Sequence, residues 1–150
     1  MTNYDILSCV ETLRIANFRG VFCRDTLPGK PECRECGIFN LNLSSQEGSH
    51  WVCWFKNGEE RCYFDSFGII TPLELQRYLK TPFEFENNKK VIFRNTERVQ
   101  EFGTTICGEL CLFMLSYLSS SPEFSFQSAI NSIKNGHFNQ FYTDIRRKKK

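Results

Sequence analysis

The segment TTICGELCLFML, Thr104 to Leu115, sets a cysteine and a glycine at the mouth of an apolar run. Extended to Leu118, the run is apolar on nearly every side of a 3.6-residue period, which predicts a mostly buried helix. Cys107 stands where an irregular loop, Thr96 to Ile106, turns into that helix. Free amides and the helix dipole at such a point favour a thiolate and lower the thiol pKa. Gly108 is expected to leave the approach to the sulfur open. Two readings of Cys107 stand side by side: a nucleophile, or a small residue opening a core helix, the commoner fate of cysteine. Cys111, one turn further along the same apolar stripe, reads as core.

The elements on either side can be placed by pattern. Residues 4 to 15, YDILSCVETLRI, put Ile6, Cys9, Val10 and Leu13 on one helical stripe. The Gly/Pro-punctuated FRGVFCRDTLPGKPEC is a loop with a short strand at Val21 to Cys23. GIFNLNL (37 to 43), HWVCWFK (50 to 56), RCYFDSF (61 to 67) and KVIFRN (90 to 95) crowd aromatic and branched residues as strands do. Asn57-Gly58 joins the second and third of these as a hairpin. TPLELQRYL (71 to 79) is a short helix with Thr71 as N-cap and Pro72 in its first position. FSFQSAINSIKNG is an amphipathic helix, with Phe126, Ile130 and Ile133 on one face and Gly136 as its stop. The order predicts an α+β domain with helices packed against one mainly antiparallel sheet.

Bulk composition bounds the class. A chain of 150 residues is expected to form a single domain over residues 1–145. The five basic residues Arg146, Arg147, Lys148, Lys149 and Lys150 read as a frayed, solvated tail that could hold polyanions nonspecifically. No run approaches the roughly 18 to 20 apolar residues of a membrane span, and Met1 to Arg19 lacks the pattern of a secretion signal. Eight cysteines raise disulfides and zinc. Disulfides are disfavoured without an export signal. Cys33-x2-Cys36 is half of a zinc signature with no second close pair outside the helix, so reduced thiols are preferred.

Thiol hydrolysis needs a base, a group that orients the base, and donors for an oxyanion. Only His50 and His137 exist. His50 enters a strand from a Ser/Gly-containing turn and so sits at a sheet rim, where active sites collect, whereas His137 follows Gly136 and reads as a helix-end surface residue. Asp65 ends the strand paired with that of His50 and could hold its tautomer, or simply open the turn before Gly68. Gln100, seven residues before Cys107, can offer a side-chain N–H beside the Cys107 amide, or be a solvated loop residue.

The ordered set His50, Asp65, Gln100, Cys107, carried by GSHW, YFDSFG and Q-x6-CG, resembles the adenovirus endopeptidase (adenain) family of the Ulp1-like cysteine-protease clan. With NFRGVFCRDTLP and ECGIFNLNL before the histidine strand, it resembles still more closely the proteases of Polinton/Maverick elements and their adintovirus relatives. The likeness covers Phe18 to Leu118. It implies an adenain/Ulp1-like fold: a mixed, mainly antiparallel sheet packed by helices, with the nucleophile at the N-terminus of a central buried helix. It implies His50 as base, Asp65 as its orienter, Cys107 as nucleophile, Gln100 with the Cys107 amide as oxyanion hole, and Trp51 as a wall beside the substrate. Ser66 stands where adenain has proline, a change expected to be tolerated.

The activity so implied is a thiol endopeptidase, inside a host cell (nucleus or cytoplasm) or in a virion, that matures capsid or precursor proteins after glycine-containing sites. It is expected as a monomer that needs no cofactor or metal for basal chemistry, with DNA or a peptide as activator. Deconjugation of a ubiquitin-like modifier needs the same residues and remains an alternative. A nucleic-acid-binding module using the basic C-terminus is the alternative of another class; an isolated tail supports only salt-sensitive, nonspecific binding.

Overall fold

The computed structural model describes residues 1–45, 50–101, 103–121, 123 and 125–149, with the side chains of 148 and 149 excepted. Helix α4 is its axis. The apolar run becomes α4 (Cys107–Ser120), and its buried residues include everything from Cys107 to Leu115. A helix apolar all round must be covered on every side. The sheet covers one flank, and α1 (Asn3–Leu13), α5 (Phe126–Lys134) and α6 (Phe138–Lys149) cover the others.

The sheet has five strands in chain order: β1 (Phe18–Phe22), β2 (Arg34–Asn40), β3 (Trp51–Asn57), β4 (Glu60–Phe64) and β5 (Ile92–Arg94). The inner pairs β2–β3 and β3–β4 are antiparallel, whereas the outer pairs β1–β2 and β4–β5 are parallel. The hairpin of β3 and β4 turns at Gly58, whose φ of +65° suits glycine. Successive side chains of β3 alternate in direction, so Cys53 joins the α4 core while Val52 and Trp54 join a second cluster. That second cluster is closed by Leu75, Tyr78 and Leu79 of α2 (Leu73–Leu79). Helices therefore lie on both faces of the sheet, which explains why its strands read as nearly continuous apolar runs.

Gly37, opposite Trp54 in the register, has a packing reason. A Cβ there would lie 2.4 Å from the indole ring. The indole N–H donates to Glu35 (2.9 Å), which also accepts from the Tyr78 hydroxyl (2.7 Å) and pairs with Arg19 (3.3 Å). A carboxylate with only 1 % exposure is tolerated because these donors surround it.

Several local expectations change. Thr71 does not cap α2: Pro72 holds the cap position without a side-chain bond, and buried Thr71 gives its carbonyl to Gln76 Nε2 (2.7 Å). The capping boxes are at Thr2/Asp5 of α1 and Thr81/Glu84 of a further short helix, α3 (Pro82–Glu86). The first strand starts at Phe18 rather than Val21. Residues 146–149, read as a frayed tail, form the last turn of α6, and Arg146 lies over the Tyr142 ring at 5.4 Å. Lys150 and the turn residues Gly48 and Ser49 lie outside the described residues. Cys33 and Cys36 do not share a site: Cys33 is exposed, and Cys36 is in the core with its thiol toward the Ala16 carbonyl (3.6 Å).

Candidate active site

The rim where β3 begins and β4 ends gathers three of the four chemical candidates. His50 immediately precedes β3 and Asp65 immediately follows β4, so antiparallel pairing brings residues 15 apart in sequence side by side. His50 Nε2 lies 2.8 Å from Asp65 Oδ1. The imidazole also interacts with the Cys107 thiol. The thiol also accepts from the Trp51 backbone N–H (3.5 Å) and from the Gly108 amide. No side chain caps α4 at Ile106, which leaves first-turn amides to the sulfur.

Electrostatics follow from these contacts. Burial works against a charged imidazole, but the hydrogen bonds to Asp65 and Cys107 outweigh it and raise His50 to about 9. Burial likewise raises the Cys107 thiol, yet the hydrogen bonds from His50, Trp51 and Gly108 prevail and leave it below the ordinary thiol value. Both shifts act in the direction of a thiolate beside an imidazolium.

Asp65 is itself held. Its backbone N–H donates to Asn95 Oδ1 (3.2 Å), its carbonyl accepts from Asn95 Nδ2 (2.6 Å), and Oδ1 takes a second bond from the Phe67 amide (2.8 Å). Phe67 lies against the imidazole with ring centroids 4.8 Å apart and planes inclined by 27°. Gly68 makes this turn possible: its φ is +72°, and a Cβ would come within 2.9 Å of the Thr96 and Glu97 backbone. Asn95 and Phe67 were not among the sequence candidates. Phe67 lies inside the YFDSFG stretch that carries Asp65, whereas Asn95 ends KVIFRN with no local signal of its role.

Gln100 is buried, 2 % exposed. Its Nε2 donates to the Thr104 carbonyl (2.9 Å) and its Oε1 accepts from the Ser66 hydroxyl (2.5 Å). The solvated-loop alternative for this residue therefore falls. Trp51 binds both cysteines of α4 through its backbone, its N–H to Cys107 and its carbonyl to the Cys111 thiol (3.5 Å). Gly108 does not leave open space: a Cβ there would meet Met1 Sδ at 3.1 Å and Trp51 Cδ1 at 3.3 Å. Its lack of a side chain lets these two groups pack directly on the first turn of α4. His137 stands apart from the site, exposed, with Nδ1 2.9 Å from the Ser132 hydroxyl.

No family model matches the sequence, and no curated protein matches it. Solved structures do. ASFV pS273R protease superposes with a TM-score of 0.51 at 16 % identity, covering 88 % of this chain and 62 % of that one. A second structure of the same protease gives 0.50 at 16 %, covering 86 % and 60 %. The chain thus spans about three-fifths of the length of the structures it matches. At this identity the likeness is one of fold: the chain is an α+β protein whose fold is similar to that of ASFV pS273R protease.

Proposed function

We propose that the chain is a cysteine endopeptidase acting on protein substrates, in which Cys107 is the nucleophile, His50 the base and Asp65 the group that orients it. The observation that carries the reading is the His50–Asp65 hydrogen bond (2.8 Å) at the sheet rim, beside the Cys107 thiol that takes the Trp51 N–H (3.5 Å) at the N-terminus of α4. The Cys107 thiolate attacks the scissile carbonyl carbon, and the negative charge moves to the carbonyl oxygen. The Cys107 amide and the Gln100 side-chain N–H stabilise that oxyanion. The imidazolium of His50 gives its proton to the leaving amine, and a thioester remains on Cys107. His50 then takes a proton from water, the hydroxide adds to the thioester carbonyl, and the C–S bond breaks to release the acid and restore the Cys107 thiolate beside the His50 imidazolium.

The preferred substrate is an extended capsid or precursor segment cut after glycine, with Trp51 as a wall of a narrow channel beside the nucleophile. A Cβ in such a channel would clash, whereas glycine passes and also reaches φ > 0. DNA reaches the protein through the basic end of α6, where Arg146 and Arg147 are exposed, and acts as a modulator of basal cleavage. A peptide library varied at the residue before the cut, read by mass spectrometry, tests the reading. Cleavage after glycine that disappears in Cys107→Ala is expected. Efficient cleavage after Leu, Phe or Lys with glycine disfavoured would refute the channel, and no cleavage at all would refute the endopeptidase.

A further inference from the structure

A glutamine amide can be placed either way round, and its neighbours decide. Gln100 Nε2 faces the Thr104 carbonyl at 2.9 Å. A carbonyl only accepts, so this end must be the –NH2 group. Oε1 then faces Ser66 Oγ at 2.5 Å, and the hydroxyl must be the donor. The Ser66 backbone carbonyl also accepts from the amides of Val99 (2.8 Å) and Gln100 (3.2 Å). Ser66 therefore holds both the main chain and the side chain of Gln100, in a place where its own exposure is 0 %. Asp65, the preceding residue, holds His50. One dipeptide thus connects to the base on one side and to the oxyanion donor on the other.

We propose that Ser66 is a positioning residue for the reaction: its hydroxyl fixes the Gln100 amide oxygen, so that the N–H not used by Thr104 is kept for the oxyanion. The inference rests on the endopeptidase reading above. It assigns Ser66 a task that needs a hydroxyl, which the proline that adenain has at this position lacks. Without that hydroxyl a buried Oε1 loses its donor, and the amide turns to recover one. The Thr104 bond is then no longer enforced, and the second N–H leaves its direction. The consequence falls on the step in which the oxyanion forms, not on the thiolate.

The test separates those two. In the full chain, kcat and KM are measured on a peptidyl-glycine aminomethylcoumarin, and the rate of Cys107 alkylation by iodoacetamide is measured beside them. Alkylation joins sulfur to carbon with loss of iodide and forms no oxyanion, so it reports the thiolate and the integrity of the site alone. Ser66→Ala should lower kcat about tenfold, short of the roughly hundredfold loss of a whole oxyanion donor, with KM within about twofold and alkylation unchanged. On a Gln100→Ala background, Ser66→Ala should change nothing further, since the group it positions is gone. Three results overturn the proposal: full kcat in Ser66→Ala, equal falls in kcat and alkylation, or an independent added loss on the Gln100→Ala background. A wild-type chain that alkylates at Cys107 yet cleaves no peptide would instead overturn the endopeptidase reading, and this proposal with it.

Discussion

The first and second turns of α4 carry the same residue in opposite states. Cys107 and Cys111 are both buried, and both touch the backbone of Trp51. Cys107 accepts hydrogen bonds from His50 and two backbone amides, and its pKa falls. Cys111 donates to a carbonyl and has the Cys53 thiol rather than backbone amides beside it, and burial drives its pKa well up. Burial alone therefore separates nothing. The deciding term is the direction of the neighbouring dipoles: N–H groups converge at the first turn of a helix, and by the second turn they are spent on the helix itself.

The largest effect expected from breaking this comparison is at Cys107. Cys107→Ala should abolish peptide hydrolysis and the fast phase of labelling by thiol-reactive probes near neutral pH, leaving the slower labelling of exposed thiols such as Cys33, with an unchanged circular dichroism spectrum. Cys111→Ala should keep both the fast phase and the turnover. A Cys111→Ala chain that loses the fast phase, beside a Cys107→Ala chain that keeps it, would reverse the assignment of the two turns.

The next effect lies in pH. His50→Ala should be as damaging as loss of the thiol, and Asp65→Ala milder by about one to two orders of magnitude. Because the leaving amine needs the imidazolium, wild-type kcat/KM should fall on an alkaline limb near 9, where His50 loses its proton. In Asp65→Ala that limb should move to lower pH, since the bond that raises His50 is gone. Stability carries the matching sign. A histidine raised in the fold contributes fully below its unfolded value of about 6.5 and loses that contribution as pH rises to about 9. Cys107 works against this, since a thiol lowered in the fold gives up its proton over the same range, so the comparison is made without it: the Tm of Cys107→Ala should drop more between pH 6.5 and 9 than that of the Cys107→Ala/His50→Ala double variant. Parallel Tm curves for those two would show that Asp65 does not hold a charged His50 in the fold.

What was legible in the sequence follows the range of the interaction that decides it. α4 and the β3–β4 hairpin were readable because each is set by a strong local pattern. Helix α6 was equally local, with Phe138, Phe141, Tyr142 and Ile145 at i, i+3, i+4 and i+7. The basic run beside it suggested a solvated tail and hid the stripe. Its last turn instead stacks Arg146 on Tyr142. The capping box at Thr81 and Glu84 is an equally local signal, whereas Thr71, by residue type a better cap than Pro72, is buried. Ser66 with Gln100 and Asp65 with Asn95 are separated by 34 and 30 residues. Side-chain pairs at that distance follow from the chain crossings, and no local pattern announces them. The Asp65–His50 pair was foreseeable only because a hairpin converts its separation into a short distance.

The smallest effect sharpens the comparison most. Trp51 is one peptide that serves both turns, its N–H on Cys107 and its carbonyl on Cys111. The two cysteines are therefore either independent or coupled through the position of that backbone. Cys111→Ser decides between these. A hydroxyl can still donate to the Trp51 carbonyl, so the strand should stay in place, while a more polar and smaller group enters a site with 0 % exposure. The expected cost is about 1 kcal/mol, seen as a Tm lower by roughly 2 to 4 °C. Turnover should stay within about threefold, because the amide on Cys107 does not move. Cys111→Ala, which removes the donor altogether, should cost more stability for the same small change in kcat. A larger kcat loss in Cys111→Ala than in Cys111→Ser, with alkylation of Cys107 slowed in parallel, would mean that the second turn tunes the nucleophile through Trp51 and that the two cysteines are one system.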